Sequence, residues 1–156
     1  MGFGTEDDGA QNRLAEAGEG LGDDEVGERF TSLLSRAVSR CLTGDDAISL
    51  SGGIDSPAIA AFAAPQHLAW SGRPLLALSV VFPRHPSVDE SGYVRLLADH
   101  YAIPLHTYEQ TANPLADLDR WTKLADGPYP GGSLAEYEED FLLARKLGRP
   151  TILTGE

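Results

Sequence analysis

The chain has 156 residues, 42% of them hydrophobic and 23% charged, with a formal net charge of −12. That length suits one compact domain and excludes a large multidomain enzyme, while the acidity excludes nucleic-acid phosphate or anionic lipid as a main partner, since both need a basic surface. No stretch approaches the roughly 18 uninterrupted apolar residues of a membrane span or shows the basic-then-apolar start of a signal peptide. A single cysteine, Cys41, leaves no disulfide framework and no multi-cysteine metal site, so a cytoplasmic protein in reducing surroundings is expected.

Residues 1–28 hold nine carboxylates against one base, Arg13, together with seven glycines, and so carry eight of the twelve net negative charges. With so few apolar residues to offset the entropy of ordering, residues 1–22 read as a disordered acidic leader. A solvated leader is favoured over a partner-binding tail. From 23 to 156 the pattern is that of a folded domain. Val26, Phe30, Leu33, Leu34, Ala37, Val38, Cys41 and Leu42 recur at helical spacing and Gly44 supplies a stop; on that stripe Cys41 is a core residue rather than a catalytic one.

AISL at 47–50 predicts a strand, and SGGIDSPAIAAFAA at 51–64 turns from a glycine loop into a small-residue helix with Pro57 in its first turn. LLALSVVF at 75–82 predicts a second strand. Ser87 and Glu90 have capping-box spacing ahead of a helix with Val94, Leu97 and Tyr101 on one face, and PLHTYE at 104–109 predicts a third strand. Asn113 and Pro114 open a further helix with Leu115, Leu118 and Trp121 on one side. DGPYPGG at 126–132 is a loop by composition, and Ser133 with Glu136 repeats the capping-box spacing before a helix through Phe141, Leu142 and Lys146 that Gly148 ends. PTIL at 150–153 is the fourth strand. Strands alternating with helices imply an α/β domain, a doubly wound parallel sheet with helices on both faces.

Ligands of such sheets bind at the carboxyl ends of the strands. Two of those ends carry chemistry. In SGGIDS at 51–56, Gly52 and Gly53 free backbone N–H groups to point inward, and the following helix aims its positive end into the same space, which makes an anion cradle. Ser51 and Ser56 add hydroxyl donors. Asp55 sets a carboxylate beside the expected phosphates, which makes sense with a divalent cation between them. Neither G-x-x-x-x-G-K-[ST] nor G-x-G-x-x-G is present.

An S-G-G-x-D-S loop after an apolar strand resembles the pyrophosphate (PP) loop of the N-type ATP pyrophosphatases. LSGGIDSPAIAAFAA, LALSVVF, VDESGYVRLLADHYAIPLHTYE and the closing ILTGE resemble, in order and spacing, the synthetase domain of the asparagine synthetase family, over residues 25–156. The resemblance implies a Rossmann-like PP-loop fold and an ATP-dependent ligase. In that reading the 51–56 loop holds the ATP phosphates, Asp55 binds Mg2+, Ser49 and Val80 hold adenosine through their backbone, Thr154 and Gly155 lie near ATP, and Glu156 is needed to form the acyl-adenylate. A carboxylate would attack the α-phosphorus of ATP, releasing pyrophosphate, and an amine would then displace AMP.

Glutamine-hydrolysing members of that family begin with a catalytic cysteine, whereas residue 2 is Gly, so ammonia, a partner glutaminase or a substrate amine is the expected nitrogen source. Aspartate-using members carry an arginine where an ungapped count back from T-G-E falls on Ser133, and DGPYPGGS holds no base. A guanidinium clamp for an α-carboxylate is missing there, which points to other small-molecule or peptide carboxylates, as in β-lactam synthetases and lasso-peptide cyclases. The family motif continues past T-G-E with a further Mg2+-binding aspartate, so the synthetase domain reads as C-terminally incomplete. A non-catalytic nucleotide-binding remnant is the alternative, and a sulfur-transfer relative is disfavoured by the lone cysteine. His67, His85, His100 and His106 lack ligand spacing and read as surface or packing residues. Trp70, Trp121, Tyr93 and Tyr101 read as packing, Arg84 and Lys123 as solvated charges, and Glu136, Glu138, Glu139 and Asp140 as an acidic helix start that offsets the dipole.

Overall fold

A computed structural model describes residues 22–111, 118–124 and 134–155. Contacts divide the chain into two units, Met1–Arg36 and Ala37–Glu156. Helix α1 (Asp23–Cys41) opens on Asp23, Asp24 and Glu25 and closes on Arg40, charges that both favour the helix dipole. Of its anticipated apolar stripe, Val38 is buried in the second unit, as is the following Leu42, while Val26, Phe30 and Leu33 are exposed. Cys41 is exposed as well. The expectation of a core cysteine fails because the helix ends on that residue and the apolar contact passes to Leu42.

The second unit holds β1 (Asp46–Ser49), α2 (Asp55–Ser71), β2 (Leu76–Val80), α3 (Ser91–His100), β3 (Leu105–Tyr108), α4 (Leu118–Leu124), α5 (Leu134–Lys146) and β4 (Thr151–Leu153). All four strands are parallel, in the order β3-β2-β1-β4. The chain steps outward from β1 to β2 to β3 and then returns past β1 to place β4 on its other side. Right-handed crossovers therefore set α2 and α3 on one face and α5 on the other, and the doubly wound parallel sheet is what the structure has. The topological switch point lies between β1 and β4.

The sheet's pleat sorts its residues accordingly. Ala47 and Leu78 form a buried cluster with Ala144 of α5, flanked by Leu76, Tyr108, Leu143 and Ile152. Ile48 and Ala77, each fully buried, point to the other face, where α2 packs on β1 and α3 on β2. Ala60, Ala63 and Ala64 are buried apolar residues of α2, and their small side chains let that helix lie close to the sheet. The helix runs through Pro65 to Ser71, farther than the apolar run to Ala64 implied, because His67 one turn on is also fully buried.

The strands start from a polar anchor. Asp46, fully buried, accepts from Thr43 N–H (2.8 Å), Thr43 Oγ1 (2.6 Å) and Gly44 N–H (2.9 Å), with His67 Nε2 3.5 Å away. His67 is a packing residue, its Nδ1 2.8 Å from the Arg73 carbonyl. Both α5 and α3 end with the N–H of the residue just after a left-handed one reaching back five positions, Arg149 to Ala144 O and Ile103 to Ala98 O, each at 2.8 Å. Gly148 (φ 74°) takes the left-handed position after α5, but Ala102 (φ 53°) takes it after α3.

β2, β3 and β4 are shorter than anticipated by three, two and one residues, where their pairing partners run out, whereas β1 keeps its four residues and starts one position earlier. The capping box of Ser87 with Glu90 does not form. Helix α3 starts at Ser91, Asp89 accepts from Ser91 N–H (3.2 Å) and Oγ (3.1 Å), and Glu90 turns elsewhere. The acidic leader over 1–21, the helix start at Asn113–Leu115, the loop at 126–132, Ser133 and Glu156 lie outside the described residues, as do the side chains of Trp121 and Glu136.

Candidate functional site

The chain reverses direction across the sheet between β1 and β4, so the loops leaving their carboxyl ends part and leave a crevice. A cavity of about 230 Å³ lies there, lined by Ser49, Ser51, Gly53, Ile54, Asp55 and Ser56 from the β1 side, Thr154 and Gly155 after β4, and Tyr137 of α5. A second, of about 140 Å³, shares Ser49 and Ser51 and extends over β2, where Gly52, Ser79, Val80, Phe82, Val88, Glu90 and Val94 complete it. Residues singled out from the sequence thus meet at the switch point: seven of them line the first cavity, and Gly52 and Val80 line the second. Neither lining contains a lysine or arginine among the described residues.

The loop from Ser51 to Ser56 is folded on its own hydroxyls. Ser51 N–H donates to Ser56 Oγ at 3.0 Å, Gly53 N–H donates to Ser51 Oγ at 3.3 Å, and the two hydroxyl oxygens stand 3.0 Å apart. Only one of the two hydroxyl protons is needed between them, so the other remains for an incoming acceptor. Helix α2 begins within this segment, at Asp55, with Ile54 at the N-cap and no side chain capping it. Its first N–H groups and dipole thus add positive potential to this end. Asp55, exposed at that first turn, is the one charged group of the 230 Å³ lining among the described residues. A single carboxylate among neutral hydroxyl and amide donors fits a magnesium ion held mainly through substrate phosphates and water. No cluster of three or more His, Cys, Asp or Glu stands together among the described residues.

The opposite wall is pressed against this loop. A Cβ added at Gly155 would lie 2.8 Å from Ser56 N and 3.2 Å from Asp55 Cβ, so only glycine allows the β4 end to approach the start of α2 so closely.

Two contributors were not found from sequence. Asp140, 6% exposed, accepts from Ser49 Oγ at 2.8 Å and from the Tyr108 hydroxyl. It is therefore not merely part of an acidic helix start: on the sheet-facing side of α5 it ties the last residue of β1 and the last of β3 to the helix that brings Tyr137 to the cavity. Its neighbours do serve surface contacts, Glu138 with Arg120 and Glu139 with Thr111 N–H and Oγ1. The Arg120 hydrogen bond and charge hold the Glu138 carboxyl below its usual range, against some desolvation. Asp140 sits three residues after Tyr137 within an apolar-flanked run, which is the only signal that would have separated it from the exposed acids.

Glu90 is the second. Its Oε2 accepts the Gly52 N–H at 2.9 Å. Asp89 steadies the connection that presents it, accepting from Phe82 N–H at 3.4 Å as well as from Ser91. Desolvation pushes the Asp89 carboxyl up, but those hydrogen bonds together with the charge of Arg95 outweigh it and hold the group below its ordinary value.

The family model for asparagine synthase matches residues 29–156, which include both strand ends of the site. No curated protein matches the chain.

Proposed function

Because the chain belongs to the asparagine synthase family, a family of ATP-dependent amide-forming ligases, we propose that it binds magnesium–ATP across the two cavities and activates a carboxylate as an acyl-adenylate for amidation. The observation that carries this reading is the meeting of the Ser51–Ser56 loop with Thr154 and Gly155 at one switch-point cavity. Together the two cavities reach the size of about 300–1,000 Å³ usual for ligand sites. The smaller suits the nucleoside, with Val80, Phe82, Val88 and Val94 offering apolar surface and the backbone of Ser49 and Val80 offering polar edges.

In the reaction, carboxylate oxygen forms a bond to the α-phosphorus as the bond to pyrophosphate breaks, and an amine then replaces AMP at the acyl carbon. The loop amides and the start of α2 hold the phosphates and receive the charge that grows on them, with no reorganisation at the moment of transfer. Asp55 would hold a magnesium ion, which would supply charge neutralisation at the phosphates. Thr154 and Gly155 close the other side, and Glu156 is assigned to adenylate formation. No side-chain nucleophile is required. Ammonia, free or delivered by a partner glutaminase, or an amine on the substrate itself serves as the nucleophile.

The carboxylate substrate is set by what the cavity lacks. With no lysine or arginine in either lining among the described residues, there is no bidentate clamp for the α-carboxylate of a free amino acid. A carboxylate carried on a larger small molecule or a peptide, as β-lactam synthetases and lasso-peptide cyclases use, is favoured over aspartate.

Phosphorus NMR of the protein incubated with magnesium, ATP, ammonia and a panel of carboxylates tests the proposal. AMP and pyrophosphate appearing together with a carboxylate-dependent rate support it. ADP with phosphate, or no turnover despite nucleotide binding, would instead make the chain a nucleotide-binding remnant.

A further inference from the structure

Three successive amides of the phosphate loop are already engaged, and by different kinds of acceptor. Ser51 N–H and Gly53 N–H go to the neutral hydroxyls of Ser56 and Ser51. Gly52 N–H, between them, goes to a full negative charge, Glu90 Oε2 at 2.9 Å, which arrives from 38 residues away. The fit is close along the whole side chain: a Cβ on Gly52 would stand 2.8 Å from Glu90 Cβ and 3.0 Å from Oε2. The Glu90 backbone is fixed, its carbonyl accepting Tyr93 N–H (3.0 Å) and Val94 N–H (3.1 Å), so release of Gly52 requires only rotation of an exposed side chain.

Building on the phosphate-loop reading, we propose that Glu90 determines what the loop accepts: its carboxylate holds the Gly52 amide against free anions and yields it only to polyphosphate already charged with a divalent cation. The two hydroxyl acceptors do not repel an incoming phosphate, but Glu90 does, and Asp55 adds to it. No lysine or arginine in either lining, among the described residues, offsets these two charges. A metal-free anion must displace one carboxylate and then remain near both. With magnesium bound the ligand's charge is largely neutralised, the repulsion falls, and the freed carboxylate turns to solvent. Glu90 would thereby make metal a condition of entry to the loop.

The test is isothermal titration of the whole protein with pyrophosphate, once in EDTA and once with excess magnesium, for the parent and the Glu90→Gln and Glu90→Ala variants. Glu109→Gln, which alters another exposed carboxylate, serves as the surface-charge control. Glu90→Ala should tighten metal-free pyrophosphate by about tenfold, the equivalent of about 1.4 kcal/mol, and change magnesium pyrophosphate by less than about threefold. Glu90→Gln, which keeps an acceptor for Gly52 but removes the charge, should recover most of the metal-free gain. No gain without metal, an equal gain with and without it, or weaker binding in both variants would each overturn the role of Glu90. If neither parent nor variants bind magnesium pyrophosphate, the phosphate-loop reading falls with it; if the parent binds and only the predicted gain is missing, that reading stands alone.

Discussion

Replacing Asp140 by alanine removes the carboxylate that joins both sheet-end hydroxyls to α5. Hydrogen bonds to a charged group contribute about 1.5–3 kcal/mol each, and Asp140 takes two, from Ser49 Oγ and the Tyr108 hydroxyl. At 6% exposure the carboxylate is costly to desolvate, so the net loss should be about 3 kcal/mol rather than the sum. For the 120 residues of the Ala37–Glu156 unit, an unfolding entropy of about 2.1 cal/mol/K per residue converts that to a fall in Tm of about 12 °C. Urea denaturation of Asp140→Ala, Ser49→Ala and the double variant gives the stability change and the coupling, which should exceed about 1 kcal/mol. Asp140→Asn, milder because it retains an acceptor, should remain folded at 25 °C yet bind magnesium–ATP more weakly, as Ser49 forms a wall of both cavities. A loss below about 0.5 kcal/mol in Asp140→Ala, or simple additivity with Ser49→Ala, would show that the buried carboxylate does not hold the site together.

Asp55→Asn should weaken magnesium–ATP binding measured by titration while leaving the thermal midpoint within about 1 °C, since an exposed loop carboxylate contributes little to the core; Ser51→Ala should weaken it less, one neutral hydrogen bond among several being lost. Gly155→Ala should cost about 1–3 kcal/mol in a denaturant melt and abolish nucleotide binding, because the new methyl meets backbone at 2.8 Å. Ala102→Gly should raise stability by about 0.5 kcal/mol, relieving a left-handed backbone at φ 53° against the added entropy of glycine in the unfolded chain. The depressed Asp89 pKa stabilises the fold above the ordinary aspartate range, and this is lost as pH falls through the lower folded value; the Ser91 amide resonance should move over that acidic window and stay unchanged in Asp89→Asn.

What could be read from the sequence was what repeats locally. Apolar runs such as LALSV between turn residues mark strands, alternation with helices marks a parallel sheet, and a glycine loop after a strand marks an anion cradle, because each depends on neighbours within a few positions. Asp140 and Glu90 depend instead on the packing of distant segments. An acid in the run YEED looks the same whether the helix turns it to water or to the sheet, and only the placement of α5 against β1 and β3 decides. Glu90 had the spacing of a capping partner for Ser87, but Asp89 took over the α3 start and left Glu90 for Gly52. The far end of α2 is likewise set by packing: the helix passes through Pro65 to Ser71 and buries His67 beyond the apolar run.

The strand order also sets a timetable. β1, α2 and β2 are contiguous in the chain and can form the phosphate loop from local contacts, whereas β4 pairs with β1 across about a hundred intervening residues, Asp46 with Thr151. Closing so long a loop is slow and entropically costly. During synthesis the anion cradle would therefore exist before its opposite wall, and Thr154 and Gly155 would dock only after β1, α2 and β2 have formed. Ligand binding at the crevice then rewards only chains in which β4 has closed onto β1, and a bound nucleotide would hold β4 in place by mass action.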